Sequence, residues 1–182
     1  MNGILGFDLK RYIYILRHFK VKDFTCKKLN SREFEEWEKS YDDGELECLH
    51  VEIPKPDKVY VSEQKRALKT AQYLKLKYEK TSLLKEVEAC AFMKTNLKFS
   101  KNFWLLTDRL LWFLNLKKGE NRKDTAKRAI EFLDKIDETK SVLIISHGLF
   151  ISVLIKELEK RGFRGKKDLH AKNGKLYHFW YV

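Results

Sequence analysis

The sequence predicts an α/β protein, a three-layer α/β/α sandwich around a central, mostly parallel sheet, in a single domain over residues 1–182. Three observations carry this. Residues 12–16, Tyr-Ile-Tyr-Ile-Leu, are apolar without a break, the pattern of a strand covered on both faces. Residues 141–145 repeat that pattern near the other end of the chain. Between and after them lie segments with apolar residues at helical spacing, so strands alternate with helices.

The first strand ends abruptly in Arg17 and His18. In open α/β sheets ligands bind at the carboxyl ends of the strands, so this edge is where a site is expected. A basic connector follows over residues 20–28, then a helix. Asn30 and Ser31 offer N-caps, acids crowd the first turn, Phe34, Trp37 and Tyr41 share one face, and Gly44 closes it. Acids outnumber bases over residues 33–52, which reads as a solvated helix face and loop.

Pro54 and Pro56 break the chain, and residues 57–61 read as a short strand. Ser62 is a natural N-cap for a helix carrying Ala67, Ala71, Leu74 and Tyr78 on one face, with Arg66 in its first turn. Residues 83–87 read as a weaker extended segment that carries Glu86. Aromatic residues are dense from Phe92 to Phe113, with an apolar helix over residues 105–114; they read as core or as a roof over a pocket. Residues 124–137 form an amphipathic helix with Ala126, Ala129, Ile130, Leu133 and Ile136 inward. The strand at 141–145 leads into Ser146-His147-Gly148 and a helix through Lys160, and residues 176–181 close the chain as a strand.

Composition narrows the class. Hydrophobic residues make up 43% and charged residues 35%, with eight Gly and two Pro, which argues against disorder. Thirty-eight Lys and Arg against 26 Asp and Glu give +12, a surface that attracts anions. Cys26, Cys48 and Cys90 are scattered without metal-ligand spacing, so a reducing, cytoplasmic setting is expected. Residues 1–10 carry no signal-peptide pattern, and the most apolar run, 142–155, is too short to span a bilayer; no membrane partner is expected.

Strand–turn–helix units bring Arg17, His18, Arg66, Glu86 and His147 to one sheet edge. Two guanidinium forks and two imidazoles around one point suit a dianion, with first-turn amides after Ser62 and Gly148 as further donors. The stretches "LRHF", "VYVSEQKRALKTA", "LLKEV" and "LIISHG", with "AKNGKLYHFWYV" at the end, resemble in order and separation the motifs of the histidine phosphatase superfamily, the phosphoglycerate-mutase-like branch 1.

The resemblance implies a phosphoglycerate-mutase-like fold and a phosphomonoesterase that uses a phosphohistidine on His18, with Arg17, Arg66, His147 and Gly148 holding phosphate. It implies Glu86 as the proton donor, with Glu88 as the alternative, and no cofactor or metal. Two positions depart from the family. Phe19 stands where the family has Gly, and Phe24 stands where many members place a phosphate-contacting Asn. These phenylalanines suggest a bulky apolar rim that suits a phosphate on a larger or partly apolar group better than a three-carbon acid; the expected partner is a small phosphorylated substrate or a phosphoprotein, and the expected reaction hydrolysis. The competing readings are a phosphoglycerate-mutase-type transferase and a non-catalytic phosphate or nucleic-acid binder on the same fold. Nucleic acid is disfavoured because the basic residues spread over several helices without a recognition signature.

Overall fold

In the computed structural model, the described residues are 11–23, 25, 27–136, 141–168 and 170–181. Phe24, Cys26, the leading residues 1–10 and the end of the predicted helix at Asp137 lie outside them.

Six strands form one sheet in the order β5-β4-β6-β1-β8-β7. Strands β1 (Arg11–Arg17), β4 (Lys58–Ser62), β5 (Glu79–Thr81) and β6 (Ser141–Ser146) run parallel. β8 (Leu176–Tyr181) pairs antiparallel with β1, and the two-residue β7 (Arg164–Gly165) antiparallel with β8. The short β2 (Lys20–Val21) and β3 (Leu46–Glu47) form a separate antiparallel ribbon. This is the mostly parallel α/β sheet that the sequence predicts.

The helices take their sides from the strand alternation. Ile13, Ile15, Val142, Ile144, Tyr177 and Phe179 meet α4 (Arg122–Lys135) and α5 (Gly148–Lys160) in the larger core. Leu16, Val61, Leu143 and Ile145 point the other way, onto Ala67 and Ala71 of α2 (Lys65–Tyr73). A third, smaller cluster joins Phe34 of α1 (Ser31–Tyr41) to Trp104 of α3 (Lys101–Phe113), their rings stacked at 5.7 Å. It sits beside the sheet edge that carries Arg17 and His18.

Several expectations need correction. β1 is fully covered on one face only: Tyr12 and Tyr14 are half-buried, because the helix on their side, α2, packs on β4 and β6. Ser62 is the last residue of β4, paired with Thr81, and Gln64 takes the N-cap position of α2. Tyr78 lies beyond the end of α2. Residues 83–87 form no strand; the strand is β5, which leads into a short 3-10 turn, Ser82–Leu84. α3 and α4 both begin earlier than predicted, α4 behind an Asn121 capping box. Within α4, Phe132 takes the inward place that Ile130, exposed, does not.

Phe19 is fully buried. Its amide donates to Thr70 Oγ1 at 3.0 Å and its ring meets Tyr73 edge-on at 5.6 Å. Its φ is not among the positive ones, so the backbone there makes no demand for glycine. The space it fills is left by Gly174, at φ +68, where a Cβ would stand 3.2 Å from Phe19 Cδ1. Phe19 is therefore core and forms no rim. Phe19→Ala is expected to lower stability by about 3–5 kcal/mol, read as a lower urea midpoint with unchanged slope; an unshifted midpoint would remove Phe19 from the core.

Candidate active site

The register of β1 and β6 assembles the site. Arg17 pairs with Ser146, so the residues after each strand, His18 and His147, leave the sheet side by side with ring centroids 5.0 Å apart. The His18 amide extends the ladder to the Ser146 carbonyl at 3.0 Å. From the other side the 173–174 segment fastens the same strand end: Gly174 N donates to Arg17 O at 2.9 Å and Asn173 Nδ2 to His18 O at 2.8 Å.

His18 Nδ1 lies 2.6 Å from the Phe19 carbonyl. A carbonyl only accepts, so Nδ1 carries the proton and Nε2 keeps the lone pair. Burial, reinforced by Arg66 and Arg17, lowers the imidazole to about 3, so it is neutral at physiological pH. His147 is lowered well below the usual histidine range, by burial first and then by Arg66. Its Nδ1 accepts from Arg66 Nε at 3.1 Å, which leaves Nε2–H to donate to Ser62 Oγ at 2.8 Å. Both nitrogens of His147 are thus taken by protein partners. Through the first of these contacts it braces the Arg66 guanidinium, and it is not among the residues lining the cavity that holds His18.

Arg66 is buried, and its Nη2 donates to Gln64 Oε1 at 3.4 Å. Beyond His147, Asp42 Oδ1 receives its Nη1 at 3.0 Å, and the Tyr41 ring lies 5.5 Å from its Cζ. Asp42 also accepts the Lys65 and Arg66 amides at 2.9 and 3.3 Å, occupying the first turn of α2. Arg17 donates Nη1 to Ala171 O at 2.7 Å, and its buried Nε has no hydrogen-bond partner. Burial lowers this guanidinium from its ordinary value, with Glu86 acting in the opposite sense. Gly148 leaves room beside it: a Cβ there would stand 2.9 Å from Arg17 Cζ and would make the guanidinium shift.

Glu86 sits at the amino end of α5. Its Oε2 accepts from Leu149 N at 3.0 Å, and its Oε1 from Phe150 N at 3.1 Å and its neighbour Val87 N at 3.0 Å. The first-turn amides of α2 and α5, expected as phosphate donors, therefore serve two carboxylates. Glu86 still lines the cavity that holds Arg17, His18 and Arg66; Glu88 is exposed and lines a different hollow.

That cavity measures about 230 Å³. Its outer wall comes from residues the sequence reading left to solvent or core: Trp37 and Glu38 of α1, and Lys101, Leu105 and Arg109 of α3. Burial pushes the Glu38 carboxyl up. Lys101 pairs with Asp23 at 2.5 Å across the mouth. Helical spacing hinted at Trp37, which shares a face with Phe34; nothing local marked Asp42 or Glu38. Among the described residues no group of His, Cys, Asp and Glu is arranged to hold a metal ion, and no helix is long and apolar enough to cross a membrane.

Comparison with known proteins bears on the fold and the family. A product of a Mycobacterium tuberculosis open reading frame superposes with a TM-score of 0.57 at 14% identity, covering 92% of this chain and 90% of its own. Mycobacterial glucosyl-3-phosphoglycerate phosphatase gives 0.56 at 16% identity, over 93% and 89%. Phosphoserine phosphatase from Entamoeba histolytica, in complex with 3-phosphoglyceric acid, gives 0.52 at 17%, over 92% and 89%. At these identities the likeness is one of fold. No curated protein matches the sequence. The family model for the histidine phosphatase superfamily (branch 1) matches residues 49–181, a stretch holding Arg66, Glu86, His147 and Gly148 and joined to Arg17 and His18 by the β1–β6 pairing. The chain belongs to the histidine phosphatase superfamily, branch 1.

Proposed function

We propose that the protein hydrolyses small phosphomonoesters through a phosphohistidine on His18. The observation that carries this is the His18 tautomer: Nδ1–H is committed to the Phe19 carbonyl, which makes Nε2 a neutral nucleophile in a cavity walled by two guanidinium groups.

The phosphoryl group enters as a dianion. Arg17, with a buried N–H still unpartnered, and Arg66, braced by Asp42 and His147, offset its charge. His18 Nε2 bonds to phosphorus as the ester P–O bond breaks, and the leaving oxygen takes a proton from the Glu86 carboxyl. Water then attacks phosphorus, giving its proton to the Glu86 carboxylate; the N–P bond breaks and inorganic phosphate leaves. Glu86 is favoured over Glu88 because it lines the His18 cavity. Gly148 serves phosphate through Arg17, whose guanidinium its missing Cβ admits. Water reaches the mouth past the part-exposed Lys101–Asp23 pair, 22% and 14% exposed, which supports hydrolysis over transfer between hydroxyls. The small cavity favours a small phosphorylated substrate over a folded phosphoprotein.

Rapid quench with labelled substrate is expected to trap an acid-labile phosphoenzyme in the native protein and none in His18→Ala; an intermediate surviving in that variant would sink the assignment. Glu86→Gln should hydrolyse a nitrophenyl ester far better than an alkyl phosphate, since a good leaving group needs no acid. If Glu88→Gln has that selectivity instead, the proton donor is Glu88. Arg66→Lys keeps the charge but loses the fork, and kcat/KM should fall on the order of tenfold or more. Net formation of 2-phosphoglycerate from 3-phosphoglycerate, faster than phosphate release, would favour the mutase reading.

The buried imidazole also sets an acid limit. An unfolded histidine takes up its proton below about 6.5, whereas folded His18 does so only below about 3. Between those values the unfolded chain binds more protons, so stability falls as pH falls through that window. His18→Gln should show a shallower loss of urea midpoint from pH 7 to pH 4; an identical slope would mean that His18 titrates normally in the folded state.

A further inference from the structure

The half-covered face of β1 continues onto β8 and β7 as a row of rings. In the β1–β8 register Tyr12 lies opposite Trp180 and Tyr14 opposite His178, and β7 sets Arg164 opposite Trp180. Residues opposed in register share a face, so Tyr12, Tyr14, His178, Trp180 and Arg164 stand on one side of the sheet. Tyr14 and His178 stack at 4.9 Å and 17°; Tyr12 and Trp180 lie 5.5 and 5.4 Å from the same imidazole. His178 and Arg164 are exposed, and the other three rings are half-buried. The alternate residues, Ile13, Tyr177 and Phe179, are the ones packed under α4 and α5.

The cations around this row belong to the loops joining its strands. Lys166, Lys167 and Lys175 line a hollow of about 590 Å³ with His178 and Trp180, and Asp168 is the one carboxylate in that lining. Lys175 pairs with Asp168 and Lys167 with Glu159, both in part-exposed geometry worth little, which a polyanion displaces. An aromatic row on two neighbouring strands, edged by such cations, suits a ligand that alternates flat apolar rings with negative charge. A lipid surface lacks the rings, and a second copy of a +12 chain lacks the opposite charge.

We propose that this face binds single-stranded nucleic acid, with about two or three bases stacked on the Tyr12–Tyr14–His178–Trp180 row and the backbone phosphates on Arg164, Lys166 and Lys167. The platform lies on the face of β1 and β8, apart from the His18 cavity at the strand ends, and stands independently of the phosphatase reading. It differs from the sequence expectation, which disfavoured nucleic acid because the bases seemed scattered; pairing of β1, β8 and β7 brings the rings and the nearby cations together. Stacking on an open sheet requires unpaired bases, so duplexes are poor ligands.

The test is fluorescence anisotropy of the full chain with labelled 12-mers of oligo-U and oligo-dT and with a duplex of the same length, over a salt series. Saturable binding of the single strands is expected, weakening with salt with a slope of about −2 for three phosphate contacts. His178→Ala/Trp180→Ala should weaken it by roughly tenfold or more, Trp180→Phe should keep most of it, and Arg164→Ala/Lys166→Ala, which removes two of the three contacts, should flatten the salt slope by about 1.4. All three should keep the native far-ultraviolet circular dichroism spectrum, which verifies folding. The proposal is overturned by no saturable binding at low salt, by equal affinity for the duplex, or by undiminished affinity in His178→Ala/Trp180→Ala. It is equally overturned if anionic vesicles, and not the oligonucleotides, bind in a manner that this double variant abolishes.

Discussion

The site depends on holding two guanidinium groups next to two buried imidazoles. Buried charge is costly unless it is paired, and the chain meets that cost unequally. Arg66 has Asp42, His147 and the Tyr41 ring. Arg17 has one backbone carbonyl and a buried N–H with no partner. Burial first, and then these cations, lower both imidazoles and hold them neutral. A neutral His18 and an under-partnered Arg17 are therefore two consequences of one arrangement, and the dianion proposed as substrate would relieve both. Gly148 is part of the same constraint, because any side chain there would displace Arg17.

Much of this was legible because the signals were local and strong. The apolar runs of β1 and β6 announced central parallel strands, and parallel strands deliver the residues that follow them to one edge. What escaped were pairings between distant segments. Asp42 lies in an acidic stretch that any local reading assigns to solvent, yet it holds both the first turn of α2 and Arg66. Ser62 precedes a helix and looks like its cap; pairing with Thr81 keeps it in β4, so its hydroxyl serves His147 instead. The strand at Glu79–Thr81 is short and polar because it forms a sheet edge, and no periodicity marks it. The position of Phe19 raised a doubt drawn from the family's glycine. The chain answers it by exchange: Gly174 provides the room that the buried ring fills.

Charge bookkeeping separates the two faces of the molecule. The excess of +12 first suggests a surface built to steer phosphorylated substrates to the site. Around the cavity, however, cations meet acids closely: Arg66 with Asp42, Lys101 with Asp23, Arg109 with Asp108, and Arg17 under the influence of Glu86. The excess therefore lies elsewhere, on exposed lysines and arginines such as Arg164 and Lys166, where no buried chemistry requires it. Among the described residues, a sheet face whose rings lack the helix cover of the opposite face, beside charge that lies away from the His18 cavity, calls for a physical account of its own. The same strand serves both: β1 carries Tyr12 and Tyr14 along its open face and ends at Arg17, ahead of His18. Its register with β6 fixes the cavity, and its register with β8 fixes the row of rings.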